Sequence, residues 1–291
     1  MKKYKWIIGI DVSKSKLDVC LITGLTEDDD KHHFVIENNE RGFKGLFKEF
    51  KRLSVEREEC FWCMEHTGIY TMPLCYWLSE QQMNYCLVPA LEIKMSVGVK
   101  RGKSDKTDAL SIAKFAFLRQ DSLHCFKMPE KDLQKLKVLA THREKIVRTI
   151  KMFTRSEEIQ EFLPKEVSRQ IVISSNKTVK HLKCQQKEME NQMQHIIENN
   201  PSFKRTIELI TSVPGVGNQT AIALVITTKC FTCFDNWRKM ACYAGVAPFE
   251  YSSGSSIRGK ARINPMADKK RKGPAPRAQG VFVSRFARFA L

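Results

Sequence analysis

The first 120 residues carry a fixed order of strand and helix signals, and that order constrains the fold more than any other feature of the chain. Tyr4 to Val12 is apolar and rich in Ile and Trp. After a short polar turn, Leu17 to Ile22 repeats the strand signal, so the pair reads as a hairpin. An acidic loop, Gly24 to Lys31, leads to a third strand at His32 to Ile36. Arg41 to Arg52 then spaces Phe43, Leu46, Phe47 and Phe50 as one helical face. A strand at Cys60 to Met64, a helix at Met72 to Gln81, a short strand at Tyr85 to Val88 and a helix at Lys103 to Arg119 complete the segment.

Three strands followed by alternating helix and strand is the order of an α/β, RNase H-like (RuvC-like) fold, assigned to residues 1–125. Residues 126–200 change character: long Lys- and Glu-rich stretches with apolar residues three and four apart predict a coiled-coil-like helical hairpin, broken near Pro164. Its plainest role is to space two domains or to make a dimer. Residues 201–270 form a third region, mostly α-helical, with a helix to Thr211, the turn Pro214-Gly215-Val216-Gly217, a helix at Gln219 to Thr227 and another at Asn236 to Ala244. The polar run Tyr251 to Ser256 follows, and residues 271–291 are a basic tail of different composition.

Charge narrows the function. Forty-nine Lys and Arg against thirty-two Asp and Glu give a formal charge of +17, which favours a polyanionic partner. No apolar run approaches the roughly 18 residues of a membrane span, and Asp11 interrupts the only stretch near the N-terminus that hints at a signal peptide. An intracellular protein is expected. Ten scattered cysteines suit reduced thiols; the Cys60/Cys63 pair lies in a strand, where residues three apart face opposite ways, so with Cys230/Cys233 it makes a poor zinc site.

Against that basic background, four acids stand out. Asp11 ends the strand WIIGI and Glu65 ends the strand beginning at Cys60; in an RNase H-like sheet these strands are neighbours. Asp105 and Asp108, three apart on a helix, share one face. Converging carboxylates repel unless cations intervene. The set therefore implies two Mg²⁺ ions about 3.5 to 4 Å apart, as in phosphodiester cleavage. Taken singly, each acid also has an ordinary role as a helix cap, an ion-pair partner or a solvated charge.

The segments IIGIDVSKSKLDVCLI, CMEHTGIY and VGVKRGKSDKTDALSIAKFA resemble the three blocks of the DEDD transposases of bacterial insertion sequences, the insertion sequence one-ten family. The resemblance assigns the family's acids to Asp11, Glu65, Asp105 and Asp108, with Lys103 and Lys106 beside the last pair as candidate phosphate contacts. SVPGVGNQTAIALV and FDNWRKMACYAGVAPFEYSSGSSIRGKARI resemble the family's C-terminal domain. There Gly215 and Gly217 read as a helix-hairpin-helix-like turn whose backbone N–H groups meet phosphate. The nucleophilic serine falls on Ser253, with Ser252 as the neighbouring alternative, and Arg258, Lys260 and Arg262 are placed to hold phosphate.

The resemblance implies an Mg²⁺-dependent transposase that acts on element-end and target DNA, is directed by a structured guide RNA, and works in the bacterial cytoplasm at the nucleoid. A homodimer or homotetramer is the expected assembly, with the acidic site and the serine combined in one centre. The resemblance stops near Lys270, where Lys- and Ile-rich sequence gives way to RKGPAPRAQG. A truncated relic that binds nucleic acid without cleaving it is thus the alternative, and a nuclease using the acids alone is a third.

Overall fold

The computed structural model describes residues 4–97, 105–155, 162–234, 236–243, 248–253 and 257–263. The chain divides into two compact units, residues 1–128 and 129–291.

The first unit is built on a five-stranded mixed sheet. β1 (Trp6–Val12), β2 (Lys16–Ile22) and β3 (Lys31–Glu37) run antiparallel in sequence; α1 (Glu40–Arg52) leads to β4 (Cys60–Glu65), α2 (Met72–Glu80) to β5 (Asn84–Val88), and α3 (Ala90–Val97) and α4 (Asp105–Arg119) follow. The strand order is β3-β2-β1-β4-β5, with β4 parallel to both β1 and β5. The hairpin of β1 and β2 and the adjacency of β1 and β4 are those expected for the RNase H-like arrangement. The helix α3 is an addition to the elements expected from sequence.

The sheet is buried on both faces, which is why β1 and β2 read as nearly continuous apolar runs. On one face Trp6, Ile8, Ile10, Leu17, Val19, Leu21, Trp62 and Met64 pack against the aromatic stripe Phe43, Phe47 and Phe50 of α1 and Leu74, Trp77 and Leu78 of α2. The start of α1 is secured by Asn39, whose side chain accepts from the Gly42 N–H at 3.0 Å, with Glu40 in the first turn and Lys51 and Arg52 in the last. Each fully buried large apolar side chain in this layer contributes about 1.5 to 3 kcal/mol.

On the opposite face Ile7, Cys20, Ile22, Phe61, Cys63, Cys86 and Val88 pack against Ala109, Ile112, Ala113 and Ala116 of α4. The small residues let the helix lie close. At Gly9 the approach is at its limit, because a Cβ built there meets the backbone nitrogen of Ala113 and the backbone oxygen of Ala109. Neither atom is the end of a flexible side chain, so no rotamer change relieves the clash.

The second unit contains α5 (Lys131–Arg155) and α6 (Lys165–Glu198), a long helical hairpin, then α7 (Pro201–Thr211), α8 (Asn218–Thr228), α9 (Trp237–Tyr243) and the two-stranded pair β6 (Pro248–Ser253) and β7 (Ile257–Ile263). Arg143 of α5 and Glu190 of α6 pair at 2.6 Å, and the base of the hairpin joins a core of Leu133, Leu136, Met193, Ile197, Phe203, Ile207, Ile210 and Val225. Asn200 caps α7 by accepting from the Phe203 N–H at 3.2 Å, and Pro201 occupies the first turn, where its missing N–H costs nothing. The polar run that starts at Tyr251 continues β6 as far as Ser253, so this mostly α-helical region also holds a strand pair. The tail 271–291 lies outside the described residues.

Replacing Gly9 with Val forces α4 away from β1. Thermal unfolding followed by circular dichroism should show a loss of about 1 to 3 kcal/mol in stability, with Gly9→Ala smaller but in the same direction.

Candidate active site

Alternation along β1 sends Ile7, Gly9 and Asp11 to the face covered by α4. Asp11 therefore emerges just past the point where the helix lies closest. In β4, the register Gly9 with Cys63 and Ile10 with Met64 brings Glu65, one residue on, to the level of Asp11 on that same face. Asp105 and Asp108 stand in the first turn of α4, immediately before Ala109 docks against the sheet. Three separate segments of the chain thus deliver the four acids to one end of one sheet face.

The electrostatics record the convergence. Burial raises the Asp11 carboxyl above its ordinary range, and the negative charges of Asp108, Asp105, Glu65 and Asp18 push it further.

Asp18 is a fifth acid that sequence reasoning missed. It is the direct antiparallel partner of Asp11, so both side chains share a face, and it is only 5% exposed. Its two oxygens are separately engaged: His33 Nε2 lies 3.1 Å from Oδ1, and Lys16 Nζ lies 3.3 Å from Oδ2. Lys16 also donates to Asp105 Oδ2 at 2.7 Å. The signal was available, since the period-two pattern of KLDVCLI puts Asp18 on the same face as Cys20 and Ile22.

Asn38 is a second residue with no motif to announce it. Its amide donates to the Ser13 carbonyl at 3.0 Å and to the Tyr70 carbonyl at 2.9 Å, tying the turn after Asp11 to the turn after Glu65.

The donor set is all carboxylate oxygen, the chemistry that suits Mg²⁺ or Mn²⁺ rather than a softer metal. Among the described residues, no three His, Cys, Asp or Glu side chains close around a single point. The fit to a divalent ion therefore rests on the donor chemistry and on the cost of keeping Asp11 ionised among like charges. The cysteine pair of β4 behaves as its spacing requires, with Cys60 in one core layer and Cys63 in the other. Burial pushes the Cys60 thiol up to about 12.

The other candidates distribute as follows. Lys106 is exposed on the first turn of α4, and Lys103 lies outside the described residues. Gly215 takes a left-handed φ of 88° in the turn between α7 and α8, a conformation that favours glycine, and Gly217 is the N-cap of α8. Ser253 ends β6 in register with Ile257, and Ser252 is the partner of Arg258; Arg258, Lys260 and Arg262 occupy alternate positions of β7. These belong to the second unit, whereas the acids belong to the first.

Because the Asp11 carboxyl is raised in the folded state, the native protein holds a proton that the unfolded chain has already released at intermediate pH. Stability from this group is complete below the ordinary carboxylate range and declines as pH climbs through the raised value. Asp11→Asn should accordingly melt at a higher temperature than the parent at neutral pH in the presence of a chelator. The gap should close as the pH is lowered to about 3.5, below the unfolded value of about 3.9. Melting curves of the two proteins across that range check it.

A family model described as a transposase, DEDD_Tnp_IS110, matches residues 8–164, and a second, the transposase IS116/IS110/IS902 family, matches residues 207–272. The pilin gene-inverting protein of Moraxella lacunata is 26% identical over 264 residues, covering 89% of this chain and 77% of its own. The protein of the same name from Moraxella bovis matches to the same extent. An IS110 insertion-element protein of Streptomyces coelicolor is 38% identical over 76 residues, 26% of this chain and 18% of its own. Among solved structures, Thermus thermophilus RuvC in complex with a Holliday junction substrate aligns at 12% identity and a TM-score of 0.32, over 42% of this chain and 100% of its own. With the first family model spanning more than half of its length, the chain belongs to the DEDD transposases of the IS110 family.

Proposed function

We propose that this transposase breaks and rejoins DNA strands with the carboxylates of the first unit as its metal-binding set and Ser253 of the second as its nucleophile. One observation carries the reading: Asp11 feels the charges of Glu65, Asp105 and Asp108, brought from three distant segments to one end of the sheet. A fold gains nothing in stability from such a cluster, so its retention points to a cation and to chemistry. The relatives named for inverting a pilin gene fit this reading, since inversion is itself a break-and-rejoin rearrangement.

Asp11, Glu65, Asp105 and Asp108 would hold Mg²⁺, two ions in the fullest form of the site. When bound, the metal supplies Lewis acidity toward a phosphodiester and lowers the pKa of an attacking hydroxyl. The chain's own residues do the rest. Ser253 gives up its hydroxyl proton as its Oγ attacks phosphorus, one phosphorus–oxygen bond to deoxyribose breaks, and the departing sugar oxygen takes up a proton in exchange. The resulting phosphoserine conserves the bond, so a second sugar hydroxyl can displace the serine and complete the exchange without water. Ser252 is the alternative nucleophile.

Arg258, Lys260 and Arg262 on β7, and Lys103 and Lys106 near the acid pair, would balance the phosphates in this scheme. The turn at Gly215 and Gly217 would offer backbone N–H groups at the start of α8. The formal charge of +17 suits binding of a structured guide RNA as well as DNA. Assembly into a homodimer or homotetramer would use the α5–α6 hairpin, where Val138, Met152, Val167 and Ile171 are exposed.

Excision of a matching element, supplied with its flanking DNA, tests the mechanism. Asp11→Ala and Ser253→Ala should each lower excision by a factor on the order of 10³ or more. A detergent-resistant protein–DNA adduct should form with the parent and not with Ser253→Ala. Full excision with Ser253→Ala would reduce the mechanism to the acids alone. An inactive parent that still binds DNA would favour a relic.

A further inference from the structure

Lys16 is the first residue of β2, and its ammonium is shared between two carboxylates of different status. One is Asp18, buried in the sheet and clamped from its other oxygen by His33 of β3. The other is Asp105, at the start of α4 and half exposed. The turn that launches Lys16 is itself fixed: the Ser13 N–H donates to the Lys16 carbonyl at 3.1 Å, and Ser13 Oγ donates to the same oxygen at 2.8 Å. A surface lysine ordinarily samples many rotamers and gains little from one partner. This one is tied at its backbone and anchored at its tip by a carboxylate that burial holds in place.

We propose that Lys16 is a tethered counter-cation of the acidic site: Asp18 and His33 hold its ammonium against Asp105, where it competes with a divalent ion for that carboxylate and so sets the metal affinity of the site. The inference rests on the reading of Asp11, Glu65, Asp105 and Asp108 as metal ligands. Two effects of Lys16 oppose each other. By fixing Asp105 it spares some ordering cost when metal binds, a matter of one side chain's rotamers. By placing a unit positive charge within a few ångströms of a dication it weakens binding, and this effect is the larger because the dication doubles the repulsion. The charge effect therefore decides the direction.

The test uses the full chain and Mn²⁺, with affinity read by the loss of the free-ion electron paramagnetic resonance signal and, separately, with melting temperature in chelator. Lys16→Met should bind Mn²⁺ about fivefold tighter or more and should melt lower without metal, because the carboxylates lose their internal cation. Lys16→Arg should match the parent in both. Lys16→Met binding Mn²⁺ no tighter than the parent overturns the proposal, and so does Lys16→Arg tightening as much as Lys16→Met. Lys16 is exposed, so neither variant threatens the fold. Asp11→Ala separates the two levels of inference. If it binds Mn²⁺ as the parent does, the metal-site reading fails and takes this one with it. If it loses binding while Lys16→Met is unchanged, only the counter-cation fails.

Discussion

Everything in the first unit that bears on chemistry depends on how closely α4 lies against β1. Gly9 and the alanines at 109, 113 and 116 allow backbone-to-strand contact, and the acids stand immediately beyond it, Asp11 two residues after the glycine and Asp108 one residue before the first alanine. A larger residue at position 9 would push α4 off the strand, because the atoms it meets are backbone. The carboxylates would then no longer converge, whatever their identity. The packing and the site are thus one constraint, with the apolar half of the face fixing the position of the polar half.

The polar half works against stability. Four carboxylates besides Asp11 crowd one sheet end, and burial adds to the cost of ionising Asp11. The protein resolves part of this conflict internally, by giving the most buried acid, Asp18, a histidine on one oxygen and a lysine on the other. Removing the lysine leaves Asp18 less compensated, at a cost that solvent screens because the Lys16 side chain is exposed. Among the described residues, the charges that shift Asp11 are those of Asp108, Asp105, Glu65 and Asp18, all negative. Repulsion at one acid beside an ion-paired one is the contrast that supports reading this end of the sheet as a site for an external cation.

Much of this was legible in the sequence, and the reasons differ by element. The succession of strands and helices along the chain followed from apolar runs and from the helical spacing of Phe43, Leu46, Phe47 and Phe50, both strong periodic signals. α3 escaped because ALEIKMSV is short and its apolar residues mark no clear face; Ile93 is buried, while Leu91 and Met95 are exposed. β6 and β7 were legible only in part: Ile257, Gly259, Ala261 and Ile263 alternate with Arg258, Lys260 and Arg262, but glycine, alanine and three cations in seven positions make a weak strand signal. Asp11 and Glu65 were recognisable as acids ending apolar strands. Asp18 required one further step, the register of the β1–β2 hairpin, and Lys16 required knowing where α4 begins. Ser253 was never legible from physics alone, since a serine in a serine-rich run becomes a nucleophile only by its surroundings.

The central claim is that one end of the β1–β4 face is a divalent-cation site. Anomalous diffraction from crystals of the full chain soaked in Mn²⁺ addresses it most directly. The account predicts anomalous density bounded by Asp11, Glu65 and Asp108 and absent from crystals of Asp11→Ala grown the same way. Ordered carboxylates with no density between them at saturating Mn²⁺, or density that persists unchanged without Asp11, would contradict it.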